Sequence, residues 1–199
     1  VNTARTTALP ALHTIRAGEG PAVLLLHGIG SSATSWEPQL SRLGTAYRLV
    51  APDLRGYGDS PDPSGSPSID AVVDDLATLV EGEGAVHVVG VSFGALAALA
   101  LARLHPERVR SLVLADATLG RGALPPAERE AWRAGRYALA GDLQDRAEGR
   151  ALEIAAPDAD AATIDAIASA MRRARPSGYR YVADVIAGID ATPWLAEIR

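Results

Sequence analysis

Residues 85–104 read Ala85-Val86-His87-Val88-Val89-Gly90-Val91-Ser92-Phe93-Gly94-Ala95-Leu96-Ala97-Ala98-Leu99-Ala100-Leu101-Ala102-Arg103-Leu104. An apolar strand-like run, Ala85–Val91, passes into an apolar helix-like run, Ala95–Leu104, through Gly90-Val91-Ser92-Phe93-Gly94. A strand that reverses directly into a helix strains the backbone at its apex, and the turn closes only where the residues two before and two after are nearly free of side chain. Gly90 and Gly94 meet that demand, and Ala95 keeps the next position small. The turn lifts the Ser92 hydroxyl above the sheet. It also leaves the Phe93 N–H at a helix N-terminus, where the amide and the local dipole stabilise an oxyanion. The plain alternative for a bare G-x-S-x-G is an ordinary glycine-rich turn, and the flanking strand and helix argue against it in favour of a nucleophile elbow.

Outward from the elbow, residues 9–117 alternate strand-like and helix-like runs, the pattern of a mostly parallel, doubly wound α/β sheet. Strands are expected at Leu9–Arg16, Ala22–Leu26, Tyr47–Ala51 and Ser111–Ala115, the second and last of them buried. A loop rich in Pro, Gly, Asp and Ser covers Pro52–Pro67. Ser68 reads as the N-cap of a helix over Ile69–Val80, whose Ile69, Val72, Val73, Leu76, Leu79 and Val80 share one face. Ala95–Leu104 is apolar nearly all round, which marks a buried helix, and His105-Pro106 stops it. Past Gly120 the character changes to Ala-, Arg- and Glu-rich segments such as Ala127–Ala140 and Ala159–Arg173. Three units are therefore expected: a core with the elbow over 1–120, a helical cap over 121–191, and a return toward the core over 192–199.

Composition excludes several classes of function. The 199 residues suffice for one full core with a small appended unit, and the net charge of −5 disfavours nucleic acid or an anionic membrane as the main partner. All 19 basic residues are arginine, which excludes a lysine nucleophile, and the absence of cysteine excludes disulfides and thiolate chemistry. No stretch is apolar over a length that spans a bilayer, and the first residues lack a signal-peptide core, so a cytoplasmic protein is expected.

Four features stand in order: Leu26-His27-Gly28-Ile29-Gly30-Ser31-Ser32 after a buried strand, Asp53-Leu54-Arg55-Gly56-Tyr57-Gly58-Asp59-Ser60 after the next, the elbow, and the helical insertion. Together they resemble the α/β-hydrolase superfamily over essentially the whole chain. Pro176-Ser177-Gly178-Tyr179, Ile189-Asp190 and Leu195-Ala196-Glu197-Ile198 are similar to the branch of small esterases, enol-lactonases and cofactor-free haloperoxidases. The resemblance implies an oxyanion hole made by the backbone N–H groups of Ile29 and Phe93, whose side chains are expected to line the acyl pocket. It also implies no metal and no organic cofactor. Members of the superfamily that open epoxides or remove halide carry Asp at the elbow apex, and the residue here is Ser92. Hydrolysis of a small or medium carboxylic ester or lactone through an acyl-enzyme follows, with a small-molecule acyl substrate as partner. The rival readings are an acyltransferase or perhydrolase using the same serine, and a non-catalytic binding or regulatory protein on the same fold.

The reading meets a gap at the general base. The superfamily takes it from a histidine near the C-terminus, whereas His13, His27, His87 and His105 lie at strands, the oxyanion loop or the far end of the buried helix. The chain is therefore expected to lack the C-terminal third of the fold, with its strands, acid and histidine, and to need a C-terminal segment of the same protein or a second chain. Asp116, ending its strand, is a candidate acid, with a simple solvated strand end as the favoured alternative. Asp53 and Asp59 are not expected to bind metal, since no histidine or third carboxylate joins them by spacing. Trp132, Tyr137, Met171, Tyr181 and Trp194 either line a pocket beneath the cap or pack its helices.

Overall fold

A computed structural model describes residues 11–198. Strands β1 (Thr14–Ala17), β2 (Ala22–Leu26), β3 (Arg48–Pro52), β4 (Val86–Val91) and β5 (Val109–Ala115) form one sheet in the order β1-β3-β2-β4-β5. Only β1 runs antiparallel to its neighbour; β3, β2, β4 and β5 are mutually parallel, with Leu26 beside Gly90 and Val91 beside Ala115. All five residues of β2 are buried, because helices cover both faces. Leu24 and Leu26 face the larger core, with α2 (Ile69–Leu79) and α3 (Phe93–Leu104). Val23 and Leu25 face a smaller core with Trp36 and Leu40, the latter on α1 (Glu37–Leu43). The period-two alternation of a strand thus sorts its side chains into two cores.

Local chemistry sets the element ends. The Ser68 hydroxyl accepts the Asp70 N–H and caps α2, as its position before an apolar helical face predicts. Helix α3 is buried along ten of its twelve residues and starts at Phe93, two residues earlier than the apolar run alone predicts, because the elbow itself forms its first turn. The expected strand over Leu9–Arg16 falls partly outside the described residues; within them β1 begins at Thr14.

One expectation is corrected. β5 is not a buried strand: Val113 is 55 % exposed and the strand alternates half-buried and exposed residues. Among the described residues β5 pairs with β4 alone, so it is a sheet edge, and an apolar composition cannot distinguish an edge from a centre.

Beyond β5 the described elements are helical: α4 (Pro126–Gly141), α5 (Ala147–Ile154), α6 (Ala161–Arg172) and α7 (Pro176–Gly188). This segment leaves and rejoins the sheet layer at neighbouring points. Gly120 bridges Asp190, Gly122 N–H donates to the Ile189 carbonyl at 2.6 Å, and Ala191 N–H donates to the Leu119 carbonyl at 2.8 Å. A second seam fastens it to the loop after β3. Gly58 N–H donates to the Arg173 carbonyl, and Arg175 N–H donates to the Gly56 carbonyl. Gly56 and Gly178 meet so closely that a Cβ on either would strike the other's backbone. No helix among the described residues is long and apolar enough to cross a membrane.

Candidate active site

Ser92 stands at φ +53, ψ −111, a conformation that L-residues rarely hold and that costs about 1–3 kcal/mol. Three sets of contacts impose it. Ser92 N–H donates to the Ala115 carbonyl of β5, while its own carbonyl accepts Ala95 N–H and Leu96 N–H as the first turn of α3. A Cβ on Gly90 would collide with the Gly94 carbonyl, and one on Gly94 with the carbonyls of Leu26 and His27. Strand β2, strand β4 and helix α3 can therefore converge only because both positions lack a side chain. The serine carries no side-chain hydrogen bond to the helix it opens, so its hydroxyl is free to face outward.

The Gly28–Ser31 loop lies against this apex. A Cβ on Gly28 would sit 3.3 Å from Ser92 Cβ and 3.9 Å from its Oγ. Ser92, Ile29 and Asp116 all line one open cavity of about 1080 Å³ whose other walls come from Trp36, α4, α5, α6 and Tyr179. Ile29 lines this cavity. The Phe93 side chain does not: it is fully buried and borders a separate cavity of about 30 Å³ beside Leu54 and Tyr181. A residue following an elbow apex turns its side chain under the helix it opens. Asp116 is exposed and, like Ser92, has a positive φ, +46, which Asp tolerates better than most residues.

Each of the four histidines bonds or pairs with a group other than Ser92. His27 is 1 % exposed; its Nδ1–H donates to the Gly28 carbonyl at 2.9 Å and its Nε2 accepts Leu54 N–H at 3.1 Å. Those partners require the neutral ring with the proton on Nδ1. Burial pushes its pKa below the ordinary 6.5, against the opposing pull of the Gly28 carbonyl and Asp53. His27 therefore ties the oxyanion-loop candidate to the loop after β3. His87 bonds the Ser111 hydroxyl at 2.7 Å, and His105 lies 3.6 Å from Glu107.

His13 corrects the reading of Asp53 and Asp59. Its Nδ1 is 2.8 Å from Asp53 Oδ2, and one donor atom from each of His13, Asp53 and Asp59 lies within 4.8 Å of the others. A histidine forty residues away in sequence does join the pair. The cluster is already occupied by protein donors: Ala33 N–H and Asp59 N–H bind Asp53, and Arg173 reaches Asp59 at 2.6 Å and Asp53 at 3.9 Å. Burial raises the pKa of Asp53, but the donated hydrogen bonds of Ala33, His13 and Asp59 outweigh it and hold the carboxyl below its ordinary value. The group is a junction of loops in which Asp53 is buried, His13 half-buried and Asp59 exposed.

Of the five aromatic and sulfur side chains that composition singles out after Gly120, only Met171 lines the large cavity. Tyr181 borders the small one, and Trp132, Tyr137 and Trp194 lie under arginine guanidinium groups. Leu139, Leu143, Ile154, Ile167 and Tyr179 form the cavity's apolar lining instead, and helical periodicity alone does not say which apolar face meets a cavity.

Comparison with known proteins identifies the fold family. A family model described as alpha/beta hydrolase fold matches residues 21–195. Epoxide hydrolase 3 of Siraitia grosvenorii is 40 % identical over 107 residues, which are 51 % of this chain and 34 % of that protein. The pimeloyl-[acyl-carrier protein] methyl ester esterase of Aeromonas salmonicida is 37 % identical over 99 residues, 49 % of this chain and 38 % of that protein. The matched stretch thus spans about a third of these relatives' length. Among solved structures, a thermophilic esterase from Thermogutta terrifontis superimposes with a TM-score of 0.83 at 28 % identity, over 94 % of this chain and 71 % of that one.

Proposed function

Because the chain belongs to the alpha/beta hydrolase fold family, we propose that it is the nucleophile-bearing part of a serine hydrolase that cleaves a small or medium carboxylic ester or lactone. The observation that carries this reading is Ser92 held at φ +53 on the wall of a large cavity, with the Gly28–Ser31 loop against it. In this reading Ser92 Oγ attacks the acyl carbon while a base takes its proton. The resulting oxyanion accepts the N–H groups of Ile29 and Phe93, the alcohol departs with a proton, and water releases the acid by the same path. Helices α4–α7 act as the cap that shapes the acyl pocket.

The likeness to epoxide hydrolases favours the hydrolase class and not their chemistry. Opening an epoxide with Ser92 would form an alkyl ether, which water does not cleave, whereas an acyl-serine is an ester that turns over. The base is the unfilled part. Since all four histidines are engaged elsewhere, it comes from a segment outside residues 1–199, of the same protein or of a second chain.

The test is covalent labelling. A fluorophosphonate probe applied to the full-length gene product is expected to modify Ser92, with labelling and p-nitrophenyl ester turnover both lost in Ser92→Ala. Turnover retained in that variant overturns the assignment. A full-length protein that neither labels nor turns over esters favours the binding-protein reading.

A further inference from the structure

The cavity that holds Ser92 contains three arginines, and two of them are neutralised. Arg150 Nη1 lies 2.5 Å from Glu153, and Arg146 Nε lies 3.7 Å from Asp142. Arg136, on α4, has no carboxylate at ion-pair distance among the described residues. Its partners are neutral: Nη1–H donates to the Tyr179 hydroxyl at 3.2 Å, and the guanidinium carbon lies 5.1 Å from the centre of the Trp132 indole. The side chain is half-buried against the cavity wall.

These contacts orient the group without satisfying it. A guanidinium offers five N–H donors in one plane. The indole contacts the cation without using an N–H, and the tyrosine hydroxyl takes one donor. The remaining in-plane donors match the two oxygens of a carboxylate, the acceptor that planar arginine binds best. Withdrawing a cation partly from water without a protein counter-ion is unfavourable, so its place on a cavity wall points to an anion brought by the ligand.

Position couples this cation to the reacting centre. Tyr179 is 4 % exposed, and a Cβ on Gly30 would touch its ring at 3.2 Å, so the tyrosine that steers Arg136 also rests on the loop carrying Ile29. Exposed Asp116 and Asp145 line the same cavity as Ser92 and Arg136. A substrate with its own carboxylate is repelled by these carboxylates and drawn to Arg136. Accordingly, we infer that Arg136, steered by Tyr179 and Trp132, binds a free carboxylate of the substrate, so that the preferred ester or lactone derives from a dicarboxylic acid or another acid with a second carboxylate. This rests on the reading of Ser92 as nucleophile.

Two measurements separate the site from that reading. In the full-length protein, the ratio of kcat/KM for mono-p-nitrophenyl glutarate to that for p-nitrophenyl butyrate is expected to fall about 10–100-fold in Arg136→Gln, as for a lost hydrogen bond to a charged group, and to fall in Arg136→Lys as well. A ratio within twofold of the starting protein in both variants overturns the inference. Independently of catalysis, calorimetric titration of the Ser92→Ala protein is expected to show monomethyl glutarate binding at least about 10-fold more tightly than dimethyl glutarate, a preference that Arg136→Gln removes. Equal binding of the two esters overturns the inference even where Ser92 labels. Preferential binding without labelling supports the carboxylate site while the hydrolase reading fails.

Discussion

At the scale of single residues, the site is assembled from groups held where they would not rest by themselves. Ser92 stores backbone strain of about 1–3 kcal/mol, and glycine at φ +53 would not. Ser92→Gly is therefore expected to raise stability by about 1 kcal/mol, after the greater unfolded-state freedom of glycine is subtracted, and to abolish fluorophosphonate labelling. Urea midpoints and probe incorporation check the pair. His27 makes a pH prediction. Burial lowers its pKa from 6.5, so the unfolded chain binds the proton more readily. The stability this residue contributes is complete above the unfolded value and is lost as pH falls from about 6.5 toward the folded one. Unfolding free energy between pH 7 and 5 is expected to decline with His27 contributing at most one proton, about 1.4 kcal/mol per pH unit, and His27→Gln should flatten that slope. A slope unchanged in the variant would place the titration elsewhere.

At the scale of elements, the same strand type plays opposite parts. β2 is covered on both faces and paired on both edges, so its apolar run costs nothing in solubility. Residues 112–115 of β5 are also apolar, yet the strand leaves Val113 exposed and pairs on one edge among the described residues. An unpaired apolar strand invites another strand. Residues 1–199 expressed alone are expected to self-associate at micromolar concentration, and Val113→Lys should shift sedimentation toward monomer without lowering the unfolding midpoint. Helix α2 gives a quieter check: Ser68→Ala removes the acceptor for Asp70 N–H and is expected to cost about 1 kcal/mol. Strand and helix identities were legible because apolar runs, glycines and cap residues act on their immediate neighbours. The exposure of β5 was not, since burial depends on what lies alongside.

At the scale of the whole molecule, the helical segment is joined to the sheet layer by a seam of backbone and arginine contacts. Arg175 spans it, with Nε 2.7 Å from Asp62, Nη1 donating to the Gly58 carbonyl at 2.7 Å, and Nη2 donating to the Ser60 carbonyl. Arg173 adds its bond to Asp59, and the Gly56–Gly178 approach brings the two backbones together. Because Nη1 and Nη2 bond carbonyls rather than compete with a second ion, Arg175→Gln is expected to cost about 1–3 kcal/mol and to speed amide exchange in α6 and α7 before the sheet. Uniform acceleration over the whole chain would mean that the seam does not bound a separate unit. The same seam carries Tyr179 to the Gly30 loop, so its loosening should lower ester turnover as well as stability.

The nucleophile candidate, its glycine supports and the strands around it were determined by the sequence alone, because steric demand at a tight turn and periodic burial are properties of consecutive residues. Ile29 was singled out differently, through the resemblance of the His27-Gly28 run to the α/β-hydrolase superfamily. Only the tertiary structure decided that Phe93 turns its side chain away from the cavity, that His13 joins Asp53 across forty residues, and that Met171 faces the cavity while Trp132 lies behind Arg136. These outcomes depend on which surfaces meet. Pairing of charge and lining of a cavity are set by distances between segments far apart in the chain, which no local pattern encodes.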